Sequence, residues 1–496
     1  MKRPRIRWLL PLAFVLFLPQ SAARAADVTV KGPETPSAIE KFALDELADA
    51  LKRLPQPGRT SKLIIVVGQA KTNPEAARLL ASGFTKAEER AEGYALKYDK
   101  DRGTVLIAGA DERGTLYGVM DCIHYYLRKA CSGEQEQMEL HEAPKVELRG
   151  LWLWGSSIYN YERFLDQMAR WKMNLVISWT DPRHSTTFVA FRDYAASRGI
   201  TVVWGYGWGW DRWIDWSKPE SIAAWEEKAV KIFEEQYAPL NPFGIYFQTS
   251  GTEGGRLKPE DCKEVVEFVN RTSTRILEKH PKVRISFGLH FPYGDASVRA
   301  RFEASLKDVD PRVNIMYEDL PGGPFAYRPA MLNKDVLTIC SELASLRGDK
   351  EDIGYVYKGF FHLGLQGWVD EEPKEEPKLI RDEAKLQAKA DSRESKWAEQ
   401  EAGWIKTFER DPTALDVLKN LVESKAKRKS VTLLVENGLW EVRAWYPVCL
   451  LAEAMWNPYR EKQQLLKELD DCLEVHSTRK HRRPAGHEGA PPEDGK

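Results

Sequence analysis

The residues best suited to chemistry are carboxylates and rings that close apolar runs. "GIYFQTSGTEGG" (244–255) is a strand-like run that breaks into Thr249, Ser250, Gly251 and Thr252, then presents Glu253 in a glycine-rich turn. "VNIMYE" ends on Glu318, with Asp319 beside it. Other apolar runs are followed by Asp181, Arg183 and His184, by Asp211 and Arg212, by His290 and by Glu436, while Lys358 lies within one. Glycosidic cleavage needs two such carboxyls: one protonates the leaving oxygen and the other activates water or attacks. A carboxyl partly buried among Trp and Tyr holds its proton to higher pH and suits the acid's role. On that ground Glu253 is the candidate acid, and Glu318, with Asp319, the candidate base. The plainer alternatives are a helix-capping loop Glu for Glu253 and rim ion pairs for Glu318 and Asp319.

Tryptophan is abundant, 17 residues, and "WGYGWGWDRW" (204–213) interleaves it with glycine and charge. Such a segment suits stacking on sugars better than core packing, so Trp154, Trp208 and Trp210 are candidate platforms. Asp181, Arg183, His184, His290 and Lys358 complete the candidate substrate-binding set. The cations among them could neutralise an anionic sugar, although structural ion pairs are the plainer role for any one. His290 reads as a hydrogen-bonding wall residue rather than a base. There is no Ser-His-Asp order, and the six cysteines show no CxxC or Cys/His ligand spacing, so no metal or other cofactor is expected. They read as buried thiols with at most one disulfide, Cys122–Cys131 being the closest pair.

These groups need a scaffold that gathers strand ends at one place. From about residue 147 the pattern alternates strand and helix. The strand candidates are "VELRGLWLW", "NLVISW", "ITVVWGYG", "FGIYFQT", "VRISFGLH", "VNIMYE", "IGYVYKGF" and "SVTLLV". Eight strands alternating with amphipathic helices predict a (β/α)8 TIM barrel over 146–458, with its active site at the carboxyl ends of the strands. The alternative, a doubly wound sheet, lacks its phosphate turn, because "WGSSIYNYE" is not GxGxxG. Residues 26–145 predict a small α/β domain: strands at "DVTVKG" and "KLIIVVG", a hairpin at "GYALKYDKDRGTVLIAG", and helices at "PSAIEKFALDELADALKRL" and "ADERGTLYGVMDCIHYYLRKA". "EAPKVELRG" reads as the linker. A charged helical insertion is expected at about 370–428, and a carboxy-terminal helix with a disordered tail over 459–496.

Lys2, Arg3, Arg5 and Arg7, the apolar "WLLPLAFVLFLP" and the "Ala23-Arg24-Ala25" cleavage pattern read as a signal peptide over 1–25. Cleavage near Ala25 would make the chain secreted or periplasmic. Removing that segment leaves 68 basic against 74 acidic side chains, a net charge of −6. Such a balance argues against a nucleic-acid partner, and no later run is long and apolar enough for an integral membrane span.

"VLIAGADERGTLYGVMDCIHYYL" and "VELRGLWLWG" resemble the end of the first domain and the barrel entry of family 67 α-glucuronidases, which are related to the family 20 β-hexosaminidases. The resemblance covers about residues 27–330. It implies a small α/β domain before a (β/α)8 catalytic barrel, and an acid at the end of the fourth strand, where Glu253 stands. It also implies carboxylates after the sixth and seventh strands; Glu318 and Asp319 suit the sixth, while the seventh offers Lys358. Hexosaminidases carry an Asp-Glu pair where this chain has Thr252-Glu253. The expected activity is hydrolysis of a terminal sugar from oligosaccharide or polysaccharide fragments, α-glucuronidase-like. A β-N-acetylhexosaminidase-like exo-glycosidase and a non-catalytic carbohydrate-binding barrel are the alternatives.

Overall fold

The computed structural model describes residues 28–54, 62–154, 158–179, 185–209, 214–249, 257–290, 296–321, 336–358, 377–392, 413–435, 440–472 and 475–476, with isolated positions between 398 and 409. The first unit is a five-stranded sheet of β1 (Val28–Lys31), β2 (Leu63–Gly68), β3 (Tyr94–Asp99), β4 (Thr104–Gly109) and β5 (Met138–Glu142), ordered β1-β2-β4-β3-β5. β1, β2 and β4 run parallel, and β3 turns back between β4 and β5. The helix Ala38–Arg53 starts where the sequence marks it: Ser37 and Glu40 cap each other reciprocally. The helix expected over 110–130 is present but interrupted by a π turn at Cys122–Tyr126. Two elements were not anticipated. One is the short helix Pro74–Ala81, capped by Asn73 with proline at its start. The other is β5, whose "MELHE" ends on the first residue of the stretch read as linker.

The second unit is a closed barrel of eight parallel strands: β6 (Leu148–Trp154), β7 (Leu175–Trp179), β8 (Thr201–Trp208), β9 (Gly244–Thr249), β10 (Arg284–Leu289), β11 (Val313–Pro321), β12 (Asp352–Lys358) and β13 (Arg428–Leu434). All eight coincide with the runs read from the sequence, and helices connect them, giving the (β/α)8 TIM barrel. Strand residues alternate between two faces. Val202, Trp204, Tyr206 and Trp208, for example, join the outer core under the helices, whereas Val203 joins an inner cluster with Trp152, Ile177, Tyr246, Met316, Val356 and Leu434. Below that apolar layer, Asn314 Nδ2 donates to Ser286 Oγ at 3.1 Å and to Ser430 Oγ at 3.4 Å. Between β12 and β13 lie the helices Glu383–Asp391 and Thr413–Glu423 of the expected insertion. Beyond the barrel, the helix Tyr446–Trp456 is wholly buried and Lys462–Asp471 packs on it. These two helices are therefore part of the core, while residues 477–496, read as a disordered tail, lie outside the described residues. All six cysteines are buried thiols, so no Cys122–Cys131 disulfide forms.

Two buried ionic clusters fix the first unit to the barrel. Glu92 accepts from Arg149 Nη2 at 2.7 Å, from Arg113 Nη1 at 2.7 Å and from Asn174 Nδ2 at 2.9 Å. Burial alone would raise its carboxyl, but the two guanidinium groups outweigh it and hold the group below its ordinary 4.5. Lys172 Nζ meets Asp121 Oδ1 at 2.6 Å and Glu453 Oε1 at 2.7 Å, and Tyr94 also donates to Asp121. Glu453, buried yet facing Lys172 and Arg460, is likewise held below its ordinary value. Trp456 lies under the cations of both clusters, 5.1 Å from Arg149 and 5.0 Å from Lys172. Glu92 (φ 61°) and Lys172 (φ 57°) are also two of the three described non-glycine residues with positive φ. Such backbone costs of order 1–3 kcal/mol persist only where the surroundings enforce them.

Lys172→Met should therefore cost about 3–5 kcal/mol, because it leaves Asp121 buried without its cation and Glu453 with Arg460 alone. Urea unfolding measures this, and a loss under about 1 kcal/mol would contradict the role assigned to the cluster. Because Glu92 and Glu453 titrate below 4.5 when folded, their stabilisation should be complete above that pH and vanish as pH falls through the lowered values.

Candidate active site

Glu318 lies on the inward face of β11, at the carboxyl end of the barrel, with none of its side chain exposed. A carboxylate there forfeits several kcal/mol of hydration unless donors replace the water. Three side chains from the two preceding strands supply them. The Tyr246 hydroxyl donates to Oε1. Gln248 Nε2 lies 2.8 Å from Oε1 and 2.7 Å from Oε2. His290 Nε2 lies 2.7 Å from Oε2 and 3.3 Å from Gln248 Nε2. Tyr246 and Gln248 reach the centre together because they are two apart on β9, and His290 follows β10 at the level where its ladder with β11 brings Glu318 alongside.

Two backbone features make room for this arrangement. A Cβ on Gly288 would overlap Glu318 Oε1 and the Tyr246 hydroxyl, so only glycine admits the carboxyl here. The β11–β12 register also shifts between Tyr317 and Leu320, placing one extra residue of β11 at Glu318–Asp319. Such bulges re-aim side chains beside active sites. Beneath the carboxyl is an aromatic floor: Tyr246 is 5.2 Å from Trp152 and 6.2 Å from Trp179 between ring centroids. Gly205, inward on β8, is filled by the Trp179 ring, against which a Cβ would press.

Of the candidates read from the sequence, Glu318 and His290 come into direct contact. His290 is thus a partner of the carboxylate rather than a separate wall. Trp154, Asp319 and Lys358 fall at the carboxyl ends of β6, β11 and β12, on the same rim. Trp208 does not join them. It points outward, fully buried, stacked on Phe247 at 3.6 Å and edge-on to Phe268 at 6.2 Å. The expectation that it is a sugar platform is corrected: its parity on β8 matches Trp204 and Tyr206, which pack under the helices. Glu253, Asp181, Arg183, His184 and Trp210 lie outside the described residues, as do Asp211, Arg212 and Glu436. Tyr246, Gln248 and Gly288 were overlooked. The signal was a glutamine in an otherwise apolar, buried strand, sharing inward parity with a tyrosine.

Among the described residues no cluster of three metal-ligating side chains occurs, and no described helix is long and apolar enough to cross a membrane. A cleft of about 840 Å³ opens at the junction of the first unit, the helix Tyr161–Arg170 and the carboxy-terminal segment. Two of its cations are engaged locally, Arg170 by Glu46 at 2.7 Å and Arg443 by Asp391 at 3.6 Å, and it contains none of the Glu318 group.

No protein-family model and no curated protein matches the chain. Among solved structures it is similar to a GH138 enzyme targeting pectin rhamnogalacturonan II, at 12% identity over 89% of this chain and 65% of that one, with a TM-score of 0.48. It is also similar to CpGH84B (13% identity, 89% of this chain, 70% of that one, TM-score 0.49). A third is the GH20 exo-β-N-acetylglucosaminidase from Vibrio harveyi (12% identity, 90% of this chain, 73% of that one, TM-score 0.47). The chain spans less than two thirds of the length of the first of these.

Gly288→Ala should leave the barrel folded at a cost of about 1–3 kcal/mol, the usual range for a forced overlap in a packed interior. It should also push Glu318 off Tyr246, changing the histidine ring resonances of His290 in proton–nitrogen NMR. Unaltered resonances together with unaltered stability would contradict the fit described.

Proposed function

We propose that this chain is an exported glycoside hydrolase, α-glucuronidase-like, that removes a terminal sugar from polysaccharide fragments. The observation that carries the reading is the carboxylate of Glu318, buried at the carboxyl end of a TIM barrel and held by Tyr246, Gln248 and His290 above an aromatic floor. Donors from three side chains replace the water lost on burial and fix its orientation. A fixed, water-excluded carboxylate suits the base of a hydrolysis, or the stabiliser of a positively charged sugar transition state. In this reading Glu253 supplies the proton to the leaving oxygen, Asp319 supports Glu318, and Lys358 with Arg183 receives the sugar's carboxylate. β9 and β11 are separated by β10 in the barrel. The two carboxyls would then stand apart as in inverting enzymes, about 6.5–9.5 Å, with room for water.

One observation favours a second reading, a non-catalytic carbohydrate-binding barrel: both Glu318 oxygens are already engaged by donors. The two readings separate on a panel of chromogenic glycosides. The chain from Ala26 onward should turn over at least one glycoside, aryl glucuronides first. Glu318→Gln should lower kcat by about 10²–10⁴, the usual worth of a positioned acid or base, with sugar binding followed by tryptophan fluorescence preserved. Saturable binding without turnover of any glycoside by the unaltered chain would establish the binding reading instead.

A further inference from the structure

We propose that Glu441 is a positioning residue for the barrel mouth: its buried carboxyl clasps the segment after β13 to the segment after β6, and through that segment to the insertion after β12. The inference rests on the reading of this mouth as the reactive end. Glu441 Oε1 accepts from Tyr159 N at 2.9 Å, and Glu441 is only 3% exposed. Residues 158–161 in turn pair antiparallel with 378–380. Lys378 N donates to Ile158 O at 2.8 Å, Ile380 N to Tyr159 O at 2.8 Å, and Tyr161 N to Lys378 O at 3.1 Å. Asn160 Nδ2 donates to Ile380 O at 2.9 Å. The carboxyl thus joins two segments distant in sequence, a few residues beyond the carboxyl ends of β6 and β13, and the ladder joins a third to them. The Glu318 group does not use Glu441, and helix capping does not explain it, since the adjoining helix is capped by Asn160.

The charged groups around it leave the carboxyl poorly compensated. Arg163 acts on it from the helix Tyr161–Arg170, but this guanidinium also meets Glu383 of the insertion at 3.4 Å. Arg381 is taken by Glu162 at 3.1 Å, and Lys389 lies over the Tyr159 ring. On its own strand of chain, Arg443 faces Asp391. Burial therefore dominates and pushes the carboxyl up to about 7, despite its main-chain donors. A folded value above the ordinary 4.5 means the neutral clasp is strongest below that pH and progressively lost as pH rises to about 7.

Hydrogen exchange of the Ile158–Tyr161 and Lys378–Ile380 amides, corrected for intrinsic rates, tests this without requiring any activity. In the unaltered chain, opening should increase by up to about tenfold per pH unit between about 5 and 7, then level off. Glu441→Gln, which keeps the acceptor and removes the titration, should flatten that dependence. Glu441→Ala should open both segments at every pH. Where a glycoside is turned over, KM should rise in Glu441→Ala more than kcat falls. Exchange that is independent of pH in the unaltered chain, or unchanged in Glu441→Gln, overturns the clasp. Absence of turnover with the exchange pattern intact would count against the catalytic reading alone.

Discussion

Everything at the centre of this molecule is arranged around the cost of dehydrating one carboxylate. Glu318 has no exposed surface, and an ion so placed is tolerated only where protein dipoles replace its water. The barrel meets that demand with side chains from β9 and from the residue that follows β10, Tyr246, Gln248 and His290. It makes the space with Gly288 and aims the group with an extra residue in β11. A purely structural barrel would fill this volume with another aliphatic layer, as it does one level lower with Met316 and Val356.

The remaining architecture keeps that arrangement rigid. Strand parity decides which residues of each aromatic run meet the axis and which meet the helices. Outside the barrel, the Glu92 and Lys172 clusters hold two strained backbone positions and the wholly buried helix Tyr446–Trp456 in one interface. The first unit and the carboxy-terminal segment are thereby fused to the strand-bearing part. At the mouth, the Glu441 carboxyl and the 158–161 ladder tie the described parts of the connecting segments together.

Much of this was legible in the sequence, and the failures are instructive. The eight barrel strands stood out because buried parallel strands read as unbroken apolar runs between amphipathic helices. Glu318 and His290 stood out because both close such runs. Trp208 misled because abundance and neighbouring glycines were weighed above parity: Gly205 and Gly207 face the axis, so Trp204, Tyr206 and Trp208 face the helices. Gln248 was overlooked because one polar residue in a strand carries little weight until its neighbours across the sheet are known. Its meaning comes from Glu318, which is 70 residues away in sequence. β5 and the helix at Pro74–Ala81 were lost to the opposite problem, short elements whose charged residues resemble loop.

The central claim is that the Glu318 group is where a sugar is cleaved. The most direct measurement is a crystal structure of the Glu318→Gln chain soaked with an uncleaved oligosaccharide. The account predicts a sugar ring over the Tyr246–Trp152 floor, with a water held between its anomeric carbon and the carboxamide that replaces the Glu318 carboxylate. Saccharide density confined to the junction cleft beside Arg170 and Arg443, with the barrel mouth vacant, would contradict it.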